Sequence, residues 1–197
     1  MIDLKHLARR QKDRVVEALM AGLGLELAET GHGLGLDGLL VTPRPEDYWV
    51  VRTVDIAELL LVSDVAITIT TTQPTSYDAR LSGTSRSASA IVRTAIAVSA
   101  LIRQPVGFNA PMRRGRKLQL AELLEEAADV YRGAMQQVLL RDAVDGVVIL
   151  DAFPESDFAE SIVVDQLGTV GRAIVEFEIT GEGRHPVPTY QLARENA

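Results

Sequence analysis

The longest stretch of the chain with a single period is LQLAELLEEAADVYRGAMQQVLLRD, residues 118–142. Leu120, Leu123, Leu124, Ala127, Ala128, Tyr131, Met135, Val138 and Leu139 recur every three or four positions. At 3.6 residues per turn they gather into one broad apolar stripe that has to be covered. Glu122, Glu125, Glu126, Asp129, Arg132 and Gln136 take the other side, acids first and Arg132 and Arg141 later, the order that complements a helix dipole. A second helix is expected over residues 3–22, where Leu4, Leu7, Ala8, Val15, Ala18 and Leu19 share a side and Gly22 and Gly24 mark its end. Its basic residues Lys5, Arg9, Arg10, Lys12 and Arg14 read as a solvated face.

Elsewhere the period falls to two. Val65, Ile67 and Ile69 alternate with Ala66, Thr68 and Thr70 in a β-branched run, as a half-buried strand requires. Over residues 88–103, Ala90, Val92, Thr94, Ile96, Val98 and Ala100 share one face, and Ile91, Arg93, Ala95, Ala97 and Ser99 the other. The two segments predict a long hairpin joined by the polar loop 73–87. The second face is small and half polar, better suited to a neighbouring subunit or water than to a core. GVVILDAF (146–153) and GRAIVEFEITG (171–181) supply the last strands, with an acidic connection between them. Residues 55–63 fit either a short helix or a strand.

The expected fold is therefore α+β: a mixed or antiparallel sheet with a long hairpin, packed by helices at 3–22 and 118–142. Residues 1–181 form a single domain, with a glycine- and proline-rich loop at 24–45 and the hairpin loop at 73–87. Residues 182–197 form a tail or arm.

Composition narrows the picture. A chain of 197 residues, 47% hydrophobic, can bury a core as one domain, and 5% aromatic content makes that core aliphatic. The absence of cysteine excludes disulfides, thiolate metal sites and cysteine nucleophiles. The N-terminus carries charges where a signal peptide needs an apolar run. No stretch approaches the ~18 apolar residues of a membrane span, so no membrane is expected as a partner. A net charge of −7 argues against general nucleic-acid binding, which rests on clustered Lys and Arg. Against that acidic background Arg113, Arg114, Arg116 and Lys117 fall within five positions, and Arg80 and Arg86 sit in the long polar loop. Guanidinium groups suit carboxylate or phosphate surfaces, so these six are the candidate interaction residues; the plain alternative is a solvated loop.

Reactive constellations are not found. Gly33-Leu34-Gly35-Leu36-Asp37-Gly38 matches the spacing of the dinucleotide fingerprint, but that motif needs a strand before it and a helix after it. Here Leu39-Leu40-Val41 runs into Thr42-Pro43-Arg44-Pro45, which cannot be a helix interior. His6, His32 and His185 have no metal-ligand spacing. Neither a nucleophile elbow nor a P-loop occurs. Glu125 with Glu126, and Glu176 with Glu178, fit solvated faces. The expectation is a protein that is not an enzyme, with no catalytic, cofactor-binding or metal-binding residue and no cofactor.

The order of elements, a helix, two strands in a long hairpin, a helix and two more strands ending in GRAIVEFEITG, resembles the tail terminator (tail completion, minor tail protein U-like) family of long-tailed bacteriophages. The similarity covers residues 3–22 and 48–181. It implies a structural virion protein whose protomers close into a hexameric ring at the head-proximal end of the tail tube. The implied partners are further copies of itself, the tail tube protein and a head completion or neck protein. Genomic DNA would pass through the lumen without specific binding. The protein would reside in the host cytoplasm during assembly and in the virion afterwards. The stretch 24–45 and the C-terminal tail depart from the compact family pattern, which leaves another neck or head-tail connector protein as an alternative. A rival of a different class is a small α+β ligand-binding domain or enzyme using the loop at 31–38.

Overall fold

The computed structural model describes residues 4–36, 38–51, 56–60, 63–72, 76–81, 87–141, 148–152, 158–164 and 168–186. Its elements in chain order are α1 (Leu4–Thr30), β1 (Tyr48–Val50), α2 (Ile56–Leu59), β2 (Val65–Thr71), β3 (Ser76–Leu81) and β4 (Ser87–Arg103). A small hairpin, β5 (Met112–Arg113) and β6 (Arg116–Lys117), precedes α3 (Leu120–Arg141), and β7 (Val148–Ala152), β8 (Phe158–Val164) and β9 (Gly168–Pro186) follow.

The fold is α+β, with the two long helices on one face of a mixed sheet. Its spine is the antiparallel pair β4 and β9, joined along all of β4 from Ser87 opposite Pro186 to Arg103 opposite Val170. The free flank of β4 is shared by β2, paired over residues 96–102, and β3, paired over 88–93. The free flank of β9 is shared by β8 and β7. β1 adds a parallel edge strand beside β2.

Alternation assigns the faces. Val65, Ile67 and Ile69 of β2, Ile96, Val98, Ala100 and Ile102 of β4, and Ala173, Val175 and Phe177 of β9 meet the α3 stripe in the main core. Val15, Leu19, Leu23 and Leu27 of α1 complete it. On the other face, among the described residues, one end is covered, where Leu59 and Leu60 pack with Ala66, Leu101 and Val170.

Several boundaries differ from the sequence reading, each for a packing reason. α1 continues eight residues past Gly22. Gly22 and Gly24 do not stop it; they let it approach its neighbours. A Cβ on Gly22 would lie 3.1 Å from a Val138 methyl, and one on Gly24 2.7 Å from the Thr42 methyl. The polar segment expected as the loop 73–87 contains strand β3, because β4 extends beyond the reach of β2 and offers β3 its backbone groups. The acidic connection before the last strand likewise holds β8. The last strand continues past residue 181 to Pro186, into the segment expected as tail.

Candidate assembly surface

The basic cluster folds as the β5–β6 hairpin. Arg114 (φ 51°) and Gly115 (φ 75°) both adopt left-handed backbone, the requirement of a tight two-residue hairpin turn. That turn divides the four cations. Arg113 donates from Nη1 to both Glu126 oxygens at 2.7 and 2.9 Å, and from Nη2 to the Leu34 carbonyl. Arg116 donates to Glu122 at 3.0 Å. Glu122 also accepts the Gln119 amide at 3.0 Å, half of a capping box at the start of α3. Its carboxyl is held below the usual range by that amide first and Arg116 second. Arg113 and Arg116 thus tie the hairpin to α3, while Arg114 and Lys117 are exposed and make no ion pair among the described residues.

Of the other two expected site residues, Arg80 lies on β3 opposite Ser89, and Arg86 lies outside the described residues. The structure brings Arg113, Arg114, Arg116 and Lys117 together on the hairpin and does not show the loop arginines joining them.

The glycine stretch is a wedge rather than a free surface loop. Leu36 and Leu39 are fully buried in the main core. Phe108 closes over Gly38, where an added Cβ would come within 2.6 Å of the ring. Beyond it, the Val41 carbonyl accepts the Tyr131 hydroxyl. Burial pushes that phenol up, with a smaller push from Tyr48, whose own phenol is raised to about 12 by burial and by the Asp47 carboxylate. The stretch Gly33 to Gly38 follows a helix and leads into extended chain, so it lacks the strand–turn–helix setting of a dinucleotide site.

The feature that sequence reasoning did not assemble is a trough on the outer sheet face, a cleft of about 260 Å³. Its floor is the small residues Ala97 and Ser99 of β4. Thr68 and Thr70 of β2 form one wall, and Arg172, Ile174 and Glu176 of β9 the other. Pairing sets these in rows: Thr68, Ser99 and Ile174, then Thr70, Ala97 and Glu176. The Thr68 hydroxyl is completely buried and has no hydrogen-bond partner among the described residues. The α2 cluster closes the Arg172 end, because Leu101, beside Arg172, belongs to it. Alternation of Ala95, Ala97 and Ser99 against bulky neighbours was the available signal, but depth depends on which strands flank them.

Among the described residues, no group of three or more His, Cys, Asp or Glu is placed to hold a metal ion, and no helix is long and apolar enough to cross a membrane. In comparisons with known proteins, no protein-family model and no curated protein matches the chain.

Proposed function

We propose that this protein is a structural assembly subunit, a tail terminator of a long-tailed bacteriophage. It would close into a ring, with six copies as the expected number, at the head-proximal end of the tail tube and join tail to neck. The observation that carries the reading is the β4–β9 spine. Its strands of 17 and 19 residues are paired along the whole of β4, from Ser87 opposite Pro186 to Arg103 opposite Val170. A paired ribbon of that length, with a trough of small and polar residues on its outer face, offers a surface on which copies can meet.

The element order supports the reading in part: α1 comes first, β2 and β4 precede α3 and β7 and β9 follow it, while β1, α2, β3, the β5–β6 hairpin and β8 are additional to the order of the resemblance. A net charge of −7 argues against a surface that grips DNA, which agrees with a ring the genome passes through without specific binding.

The test is assembly of the purified chain. Light scattering coupled to size-exclusion chromatography should give a mass of about six times 21.4 kDa at high protein concentration or with purified tail tubes. Negative-stain images should show rings, or rings capping tube ends. A chain that remains monomeric under both conditions and leaves tube length unchanged would remove the proposal. A thermal-shift screen with nucleotides tests the rival use of the glycine stretch, since saturable stabilisation by a dinucleotide would favour a ligand-binding protein.

A further inference from the structure

We infer that the trough on the outer sheet face receives the β5–β6 hairpin of the next copy, with Arg114 and Lys117 of one protomer against Glu176 of its partner. This rests on the ring reading and names the interface that would build it.

Four observations carry it. The first is placement. The hairpin is fastened to α3, which covers the inner face, and the trough lies on the outer face. The two features are thus on opposite sides of the sheet. A protrusion and a cavity so placed cannot meet within one protomer, and between protomers they form a heterologous contact that repeats until a ring closes.

The second is charge. Arg113 and Arg116 already hold intramolecular acids, whereas Arg114 and Lys117 make no ion pair among the described residues. Glu176 is half-buried and lines the trough in the row of Thr70 and Ala97, at the end away from Arg172. Arg172 stands four residues away at the closed end, about 13 Å along an extended strand, so it does not oppose an incoming cation at Glu176.

The third is size. The walls stand on β2 and β9, two strand spacings or roughly 10 Å apart. Two strands joined by a two-residue turn have backbones one strand spacing apart, narrower than the spacing of the walls.

The fourth is the buried Thr68 hydroxyl, which has no hydrogen-bond partner among the described residues and lines the trough. A buried hydroxyl without a partner is costly, and an occupant that shifts its neighbours enough to reach it would relieve that cost.

The test exploits a chain without cysteine. Thr72→Cys and Lys117→Cys are introduced singly and together, both at exposed positions of the trough rim and the hairpin. Under mild oxidation the double variant should give a covalent ladder up to the ring, and each single variant should not. In parallel, Glu176→Arg and Arg114→Asp should each weaken subunit association at least about tenfold, and the charge-swapped double variant should recover most of the loss. Asp is used at position 114 because it tolerates left-handed backbone. Unchanged thermal melting of Arg114→Asp as monomer separates this effect from misfolding. Wild-type rings that neither charge variant weakens, with no ladder from the double cysteine variant, overturn the interface and leave the ring reading standing. A wild-type chain that never assembles overturns both.

Discussion

Replacing Gly171 by alanine tests how α3 sits on the sheet. A Cβ at position 171 would lie 2.7 Å from the Leu124 carbonyl oxygen and 3.2 Å from both the carbonyl carbon and the Cβ of Leu124. An ordinary contact needs about 3.4 Å or more, so something has to yield by roughly 0.7 Å. The obstacle is helix backbone, not the end of a flexible side chain. The strand cannot retreat either, because Gly171 is paired on one side with Ile102 and on the other with Ser161. Overpacking of this kind costs about 1–3 kcal/mol.

Gly133 provides the control. It lies inside α3, and a Cβ there meets nothing within 4 Å, so Gly133→Ala should gain about 0.8–1 kcal/mol of helix propensity. The same added methyl group is thus predicted to act with opposite signs at two sites of one packing unit. At about 2–4 °C per kcal/mol for a chain of this size, Gly171→Ala should melt roughly 2–12 °C below wild type and Gly133→Ala a few degrees above. Circular dichroism at 222 nm during heating, checked by urea titration, reads both. A Gly171→Ala protein that melts at or above wild type would show that α3 does not rest on β9 at that point.

Three further outcomes follow from the same packing. Leu36→Ala or Leu39→Ala should each cost about 2–5 kcal/mol in urea unfolding, as for other buried leucines; unchanged midpoints would return the glycine stretch to the status of a surface loop. Arg113→Gln should cost about 1–3 kcal/mol by leaving Glu126 and the Leu34 carbonyl without their donor, whereas Lys117→Gln should remain within about 0.5 kcal/mol; equal effects would mean the hairpin is not fastened through Arg113. Because folding raises the Tyr48 and Tyr131 phenols above the unfolded value of 10.0, their contribution is fully present below about pH 10 and is lost as pH rises through the folded values, about 12 for Tyr48. Each phenol should add a fall of about 1.4 kcal/mol per pH unit in that window, and Tyr48→Phe should remove one share of the slope measured by urea unfolding between pH 9 and 11.5; an unaltered slope would deny the burial of that phenol.

What was legible in the sequence was whatever depends on a single element. The α3 stripe, the alternation of Val65, Ile67 and Ile69, and that of Ala173, Val175 and Phe177 appear in the core as periodicity requires. The class of the fold followed, because two apolar stripes and several alternating strands have few ways to cover one another. What depends on a partner element was hidden. Gly22 and Gly24 have the chemistry of helix ends, and only the approach of Val138 and Thr42 shows that they sit inside one. Ser76–Leu81 does alternate, Tyr77, Ala79 and Leu81 against Ser76, Asp78 and Arg80, but over only six residues inside a turn-rich polar stretch, and its strand is decided by the free flank of β4. The basic run reads as four equivalent cations until the turn at Arg114 and Gly115 sends Arg113 and Arg116 to Glu126 and Glu122. The trough was least legible, since its residues come from three strands and only pairing register sets them in rows.

In the proposed ring, the division of the cations also bears on how copies of net charge −7 would meet. Copies of such a chain repel one another at long range, and at physiological salt that repulsion is screened beyond about 8 Å. What remains is local, so a contact between copies needs a short-range pair of opposite sign held at fixed geometry. Had all four cations been free on a flexible loop, ordering them on contact would have cost the side-chain and backbone entropy of the whole segment. By anchoring Arg113 and Arg116 to α3, the fold fixes the hairpin in advance and leaves Arg114 exposed at its turn and Lys117 exposed at its base, opposite Met112. Had the hairpin and an acidic surface lain on the same side of the sheet, a two-fold dimer could have satisfied both at once and stopped. With the hairpin fastened on the inner side and the trough on the outer side, each contact uses one of each and leaves one of each open. In the proposed interface that geometry would favour continued addition over dimerisation, and the count at which a ring would close depends on the rotation between successive copies.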